Sequence, residues 1–363
     1  MRDRALRFSC VGLAVGLLLS CGGGSSHGSH AAFVTIAEGD RISVFNVDNS
    51  DGVLSNVTGS PFLTGKGPAD VVVDPANKFA YVLNQTEATI SQFKINGDRS
   101  LTEVMPRTST GVTPSAEVMD KAGTFLYVTN SGSQGSVSVY SIDGSTGSLQ
   151  QMGQSSPTGL APTKLALAPS GNFLYVINQN SNSVSIYSVA SGVLTAVGPQ
   201  FDVGLAPTGL AINPAGTFLY LTFEAANQFN GYAIDPATGS LSPISTVPFA
   251  AGNAPVGVTI DPSGKYLYIA NSHDDTVSGF TLDATTGTPT QIMSTSSMAG
   301  SPWKAGNQPV VFSMDPSGMF LFVANTKSAN ITAFTIDSGT GILTAINGSP
   351  FSLSGSPSAM FTE

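Results

Sequence analysis

The chain has 363 residues, with 14 Lys and Arg against 23 Asp and Glu for a formal net charge of −9, and only 10% of its residues are charged. That acidic balance argues against the phosphate backbone of nucleic acid as a partner. The 40 Gly, 22 Pro and 2 Cys argue against a helical bundle and against a disulfide-held scaffold.

The N-terminus reads as a separate object. Arg2, Arg4 and Arg7 precede an apolar run from Phe8 to Leu19 that ends in Leu18-Leu19-Ser20-Cys21. This is a signal-peptide pattern, too short and wrongly flanked for a spanning helix. Its ending resembles a bacterial lipobox, so residues 1–20 are expected to be removed and Cys21 to carry lipid. The expected location is the bacterial cell envelope, on a membrane. Cys10 is then discarded, and the folded part has neither thiol nor disulfide. Residues 21–30 read as a flexible tether in which His27 and His30 are spacers. The string Gly24-Ser25-Ser26-His27-Gly28 fits G-x-S-x-G but lacks the strand and helix that motif needs. The domain proper is residues 31–363.

Along that domain one strand phrase keeps returning: FAYVLN from 79, FLYVTN from 125, FLYVIN from 173, FLYLTF from 218, YLYIAN from 266 and FLFVAN from 320. Each copy follows a proline-opened apolar run and a turn of the Asp-Pro-Ser-Gly kind, as in PVGVTIDPSGK at 255. Each leads through a polar loop into a third strand, such as SVSVYSI, and then through an Asp…Thr-Gly turn into a fourth. Four antiparallel strands per repeat make one propeller blade. Residues 31–57 supply a second, third and fourth strand without a first, and PSAMFTE at 357 supplies a first without a second. The two ends complete each other as blade 1. The complete copies opening at 68, 114, 162, 207, 255 and 309 are blades 2 to 7. The expected fold is therefore all-β, a seven-bladed β-propeller closed by pairing of its C-terminal strand with its N-terminal strands.

The repeated YVTN-type strand, seven copies and split closing blade resemble the seven-bladed propellers of the YVTN-repeat, lactonase-like family, which includes enzymes of the 6-phosphogluconolactonase and muconate cycloisomerase type. The resemblance covers nearly all of residues 31–363. It implies, for an enzyme, a lactonase of the carboxylic ester hydrolase type with His, Arg and Glu side chains around the channel. Here no first strand contains histidine, and Arg41, Arg99 and Arg107 read as a third strand, an outer strand and a loop. Only Glu117 carries over, by residue type and strand register.

First strands line a propeller's channel, and the variable loops lie on one face, so the site is expected at the channel mouth there. Counting from the opening prolines, Asp70, Glu117 and Lys164 come from three consecutive blades at similar height. They are the candidate catalytic residues, with Glu117 raised in pKa by its apolar setting. Among the loops, His273 and Asp274 in NSHDDTVS, Trp303 and Lys304 in GSPWKAGNQ, and Glu224, which breaks the strand-ending Asn pattern, are candidate ligand contacts. His273 would be the domain's only histidine, beside Asp274 and Asp275, and reads as a polar loop instead of a metal site. Asn84, Asn130, Asn178, Asn271 and Asn325 read as strand ends that tolerate left-handed geometry.

Two functions follow. One is a lipid-anchored binding or scaffolding module that takes a protein, peptide, glycan or small molecule on its loop face, favoured by the acidic surface and missing cationic donors. The other is a lactone hydrolase resembling 6-phosphogluconolactonase at the channel mouth. No cofactor, metal or nucleic-acid partner is expected, and the chain is expected to be a monomer.

Overall fold

In a computed structural model, residues 29–294 and 299–363 are described. They form seven antiparallel sheets around a central channel. Residues 1–28, with the signal segment and Cys21, lie outside the described part. The strand Ser29–Ile36 pairs with Arg41–Asp48 on one side and with the C-terminal Pro357–Thr362 on the other, Phe33 lying opposite Phe361 and Val34 opposite Met360. The ring is closed as the sequence predicts. The second strand of the closing blade starts within the expected tether, because Ser29 pairs with Asp48 and His30 with Val47. His30 is thus a strand residue, its Nδ1 lying 2.7 Å from Asn49 Oδ1, and His273 is not the domain's only histidine.

The recurring phrase has a packing reason. Second strands such as Phe79–Asn84 and Phe173–Asn178 are buried along their whole length. Alternate side chains serve opposite neighbours: Ala80 and Val82 pack toward blade 1, while Tyr81 and Leu83 pack toward Leu126 and Val128 of blade 3. A strand covered on both faces is apolar throughout instead of alternating. The tyrosine is needed for reach. Tyr81 donates to the Gly147 carbonyl at 2.9 Å, Tyr175 to Gly239 at 2.8 Å, Tyr220 to Gly287 at 2.6 Å and Tyr268 to Gly341 at 2.8 Å, each glycine lying in the next blade's Thr-Gly turn. Those glycines have positive φ, 74° at Gly147, and a Cβ there would strike the aromatic ring that opens the preceding blade's second strand, Phe79 in this case.

The Asp-Pro turns are held by their first residue. Asp74 Oδ1 accepts from the backbone amides of Lys78 and Phe79, both at 2.6 Å. The strand-ending asparagines differ from expectation. None of the five has positive φ, and Asn84, Asn178, Asn271 and Asn325 have no exposed surface. Their amides instead donate to third-strand hydroxyls, as Asn84 does to Ser91 at 3.0 Å and Asn271 to Ser278 at 2.8 Å. A polar group buried between blades requires such a partner.

A second correction concerns the connections back to each inner strand. Before crossing the loop face, most pair briefly with the third strand: Phe62 with Ile42, Phe249 with Phe229, Phe351 with Ile331, and Trp303 with Val277.

Candidate active site at the channel mouth

Inner strands are also stitched to one another. The hydroxyl after the opening proline donates to the next blade's opening-proline carbonyl in three places: Ser115 to Pro162 at 2.6 Å, Thr208 to Pro255 at 3.0 Å and Ser358 to Pro68 at 2.6 Å. Each lies about 3 Å from a second-strand threonine, Thr129, Thr222 and Thr35 in turn. Thr163 holds the same position in blade 4, but Ile177 stands in the second strand and the Thr163 hydroxyl has no partner.

Inside this collar the channel opens on the loop face as a cavity of about 580 Å³. Lys164 lines it, as do Glu38 from the Ala37–Asp40 loop of blade 1, Thr208, Thr326 and Ser358, and an apolar arc from blades 5 to 7. A smaller depression of about 350 Å³ adjoins it through Thr208 and gathers Gln179, Glu224, Asn227 and His273. These two concavities both lie on the loop face.

Asp70 and Glu117 sit at one blade interface. Asp70 lies opposite Leu83, and Glu117 opposite Val128, and both of those partners belong to the cluster between blades 2 and 3. Their offsets from the prolines differ by one residue, which turns Asp70 forward and Glu117 backward so that they face each other. The Glu117 backbone amide donates to Asp70 Oδ2 at 3.1 Å, and Val71 donates to Oδ1 at 3.0 Å. Glu117 is 5% exposed, and neither carboxylate oxygen has a hydrogen-bond partner. Burial, and then the charge of Asp70, hold its carboxyl well above the usual glutamate range. Burial also raises Asp70, which is half-buried, while the positive charge of Lys164 and the two amides offset part of that rise. The three candidate residues thus form one electrostatic group, with Lys164 on the cavity side.

The loop candidates divide. Glu224, in a short 3-10 turn at Glu224–Ala226, and His273 line the smaller depression. Asp274 is bound to Asn253, accepting from its backbone amide and its side-chain amide, each at 2.7 Å. Asp275 accepts from Gln308 N at 2.8 Å. Among the described residues no group of three His, Cys, Asp or Glu is placed to hold a metal ion. Trp303 is away from the mouth. It is 7% exposed, packs on Tyr268 with ring centroids 6.4 Å apart, and donates from Nε1 to the Ala299 carbonyl at 2.9 Å. Lys304 beside it is exposed on the outer edge. The sequence carried the signal for this placement, since GSPW at 300 repeats GSPF at 59 and 348.

No arginine lines the cavity among the described residues. Arg99 lies in the turn before the outer strand Leu101–Ser109 and Arg107 within it, the reverse of the expected outer strand and loop. Arg107 pairs with Glu103 at 2.7 Å and Glu87 at 3.0 Å, and Arg99 with Glu363 at 3.7 Å. Sequence reasoning missed Glu38 and the hydroxyl collar. The collar was readable as Ser or Thr after the opening proline, matched by Thr in the second strand.

The sequence matches the model of the family described as Lactonase, 7-bladed beta-propeller, over residues 29–208 and 200–352. The chain belongs to that family. Solved structures of the same fold include a candidate 6-phosphogluconolactonase from Bacteroides fragilis, with TM-score 0.78, 20% identity, and coverage of 92% of this chain and 98% of that one. A protein from Lactobacillus plantarum has TM-score 0.76, 20% identity and coverage of 92% and 99%. The periplasmic gluconolactonase of Pseudomonas aeruginosa has TM-score 0.74, 19% identity and coverage of 92% and 98%. No curated protein matches this sequence. At these identities the neighbours establish the fold of this lactonase-family propeller and leave its chemistry to its own residues.

Proposed function

We propose that this lactonase-family propeller hydrolyses a lactone at the loop-face mouth of its channel. One observation carries the reading: a cavity of ligand size has a single lysine in its lining, coupled to the half-buried Asp70, which in turn faces the buried Glu117. In the proposed reaction water attacks the lactone carbonyl carbon, and Asp70 takes the water's proton. Burial makes it a stronger base than a free aspartate. The Lys164 ammonium stabilises the developing oxyanion. The ring C–O bond then breaks, Asp70 returns the proton to the departing ring oxygen, and a hydroxy acid leaves with one water consumed. Glu117 is a positioning residue, holding Asp70 through its backbone amide, while burial beside Asp70 favours the neutral form of its own carboxyl.

The family match supports this reading above a purely binding role. A second reading, capture of a glycan, peptide or protein without turnover, draws on the polar depression around Glu224 and His273. A lactone panel followed by proton release, with Asp70→Asn as control, separates the two. Turnover that weakens in the variant supports hydrolysis, and no turnover on any lactone overturns it. Export and lipid anchoring at Cys21 stay part of the proposal. Fractionation of wild type with membranes, lost in Cys21→Ser, is the result expected.

A further inference from the structure

We propose that the lactone taken by this cavity is uncharged and carries an apolar chain, and is not a phosphorylated or polyhydroxylated sugar lactone. This rests on the hydrolase reading above and names its substrate class.

The channel mouth is two-sided. On one side Lys164 of blade 4 lines the cavity, with Asp70 and Glu117 behind it at the interface of blades 2 and 3. Blades 5 to 7 line the cavity with Leu210, Val256, Val258, Val310, Val311 and Phe312, all half-buried and open to it. A continuous apolar wall left in contact with a cavity marks a binding surface for apolar groups. The wall is also smooth. At Gly257 a Cβ would lie 2.6 Å from the Val310 carbonyl oxygen, and at Gly209 it would meet that of Val256, so no longer side chain breaks the arc at either place.

The polar lining does not suit a sugar acid. Three hydroxyls that line the cavity already donate to neighbouring blades: Thr208 to Pro255 at 3.0 Å, Thr326 to Pro357 at 3.3 Å and Ser358 to Pro68 at 2.6 Å. A ligand with several hydroxyls would leave its acceptors unpaired against them. A phosphate would meet one cation, Lys164, with Glu38 in the same lining and no arginine or histidine. One lysine suffices for one carbonyl oxygen.

The test uses γ-lactones bearing linear alkyl chains from methyl to octyl, beside gluconolactone and a phosphorylated sugar lactone. Hydrolysis and calorimetric binding are both measured on the wild-type domain. The expected kcat/KM rises about fourfold per methylene until the arc is filled, the equivalent of about 0.8 kcal/mol per buried CH₂. Val311→Asp flattens that series. Faster turnover of gluconolactone or the phosphorylated lactone leaves the hydrolase reading standing and overturns this one. Alkyl lactones that bind in chain-length order without hydrolysis support the apolar site and overturn the hydrolase. A panel neither bound nor hydrolysed overturns both.

Discussion

The backbone amide of Glu117 donates to Oδ2 of Asp70 at 3.1 Å across the interface of blades 2 and 3, while both Glu117 carboxylate oxygens stay without a partner. The fold therefore holds an acid where an amide would cost less. Glu117 has a folded pKa raised by burial and by Asp70. The folded state thus holds this proton more tightly than the unfolded chain. Its contribution to stability is full below the unfolded value of about 4.3 and is lost as pH rises through the higher folded value. Glu117→Gln should melt higher than wild type above that window and show a flatter dependence of Tm on pH. Parallel curves for the two proteins would mean that folding does not raise the pKa of Glu117.

Ser358 tests the closure. Its hydroxyl bonds Pro68 across the seam and lies 2.9 Å from Thr35 Oγ1. Ser358→Ala should cost about 1 kcal/mol in urea unfolding. Deleting residues 357–363 should cost several times more and promote aggregation, because the strand Ser29–Ile36 then loses its inner partner. Unchanged unfolding of the truncated chain would contradict the closed ring.

Thr163 gives the opposite sign. Its buried hydroxyl has no partner, whereas Ser115, Thr208 and Ser358 in the same position all do. Thr163→Val should be neutral or stabilising by about 1 kcal/mol, since an unsatisfied donor is removed without loss of volume. A clear destabilisation would show that the hydroxyl is satisfied in solution.

Trp303 is the chain's only tryptophan, which makes its packing measurable. A Cβ at Gly279 would lie 2.5 Å from Trp303 Cζ3. Gly279→Ala should lower stability by roughly 1–3 kcal/mol through overpacking and shift the emission of that indole to the red. An unaltered spectrum and melting point would place Trp303 outside the blade.

Most of the fold was legible because each level of the repeat repeats the same physics. The proline, the Asp-Pro turn, the doubly buried FLYVTN strand and the Thr-Gly turn recur in step, and the missing strands at the two ends match. The site was legible in part. Asp70, Glu117 and Lys164 stand out as charges in an apolar register, but the pairing of Asp70 with Glu117 depends on facing sides of adjacent blades, which a shared height does not capture. For Trp303 a rare residue in a long loop reads equally as a ligand platform or as cover for a blade edge; the structure shows the second, which the short GSPF repeats at 59 and 348 explain. Glu38 was missed because its loop reaches the cavity only through ring closure, and His30 because a strand at the very start of the domain carries little pattern of its own.

The central claim is that Asp70 and Lys164 act on the same carbonyl. It is tested most directly by a double-mutant cycle on kcat/KM for one alkyl lactone, using Asp70→Asn, Lys164→Met and the pair. The account predicts a loss on the order of 10²–10³ for Lys164→Met, the range of a lost oxyanion donor. It also predicts a comparable loss for Asp70→Asn, and a double variant little worse than either single one. Wild-type rates in either single variant, or losses that multiply independently, would contradict it.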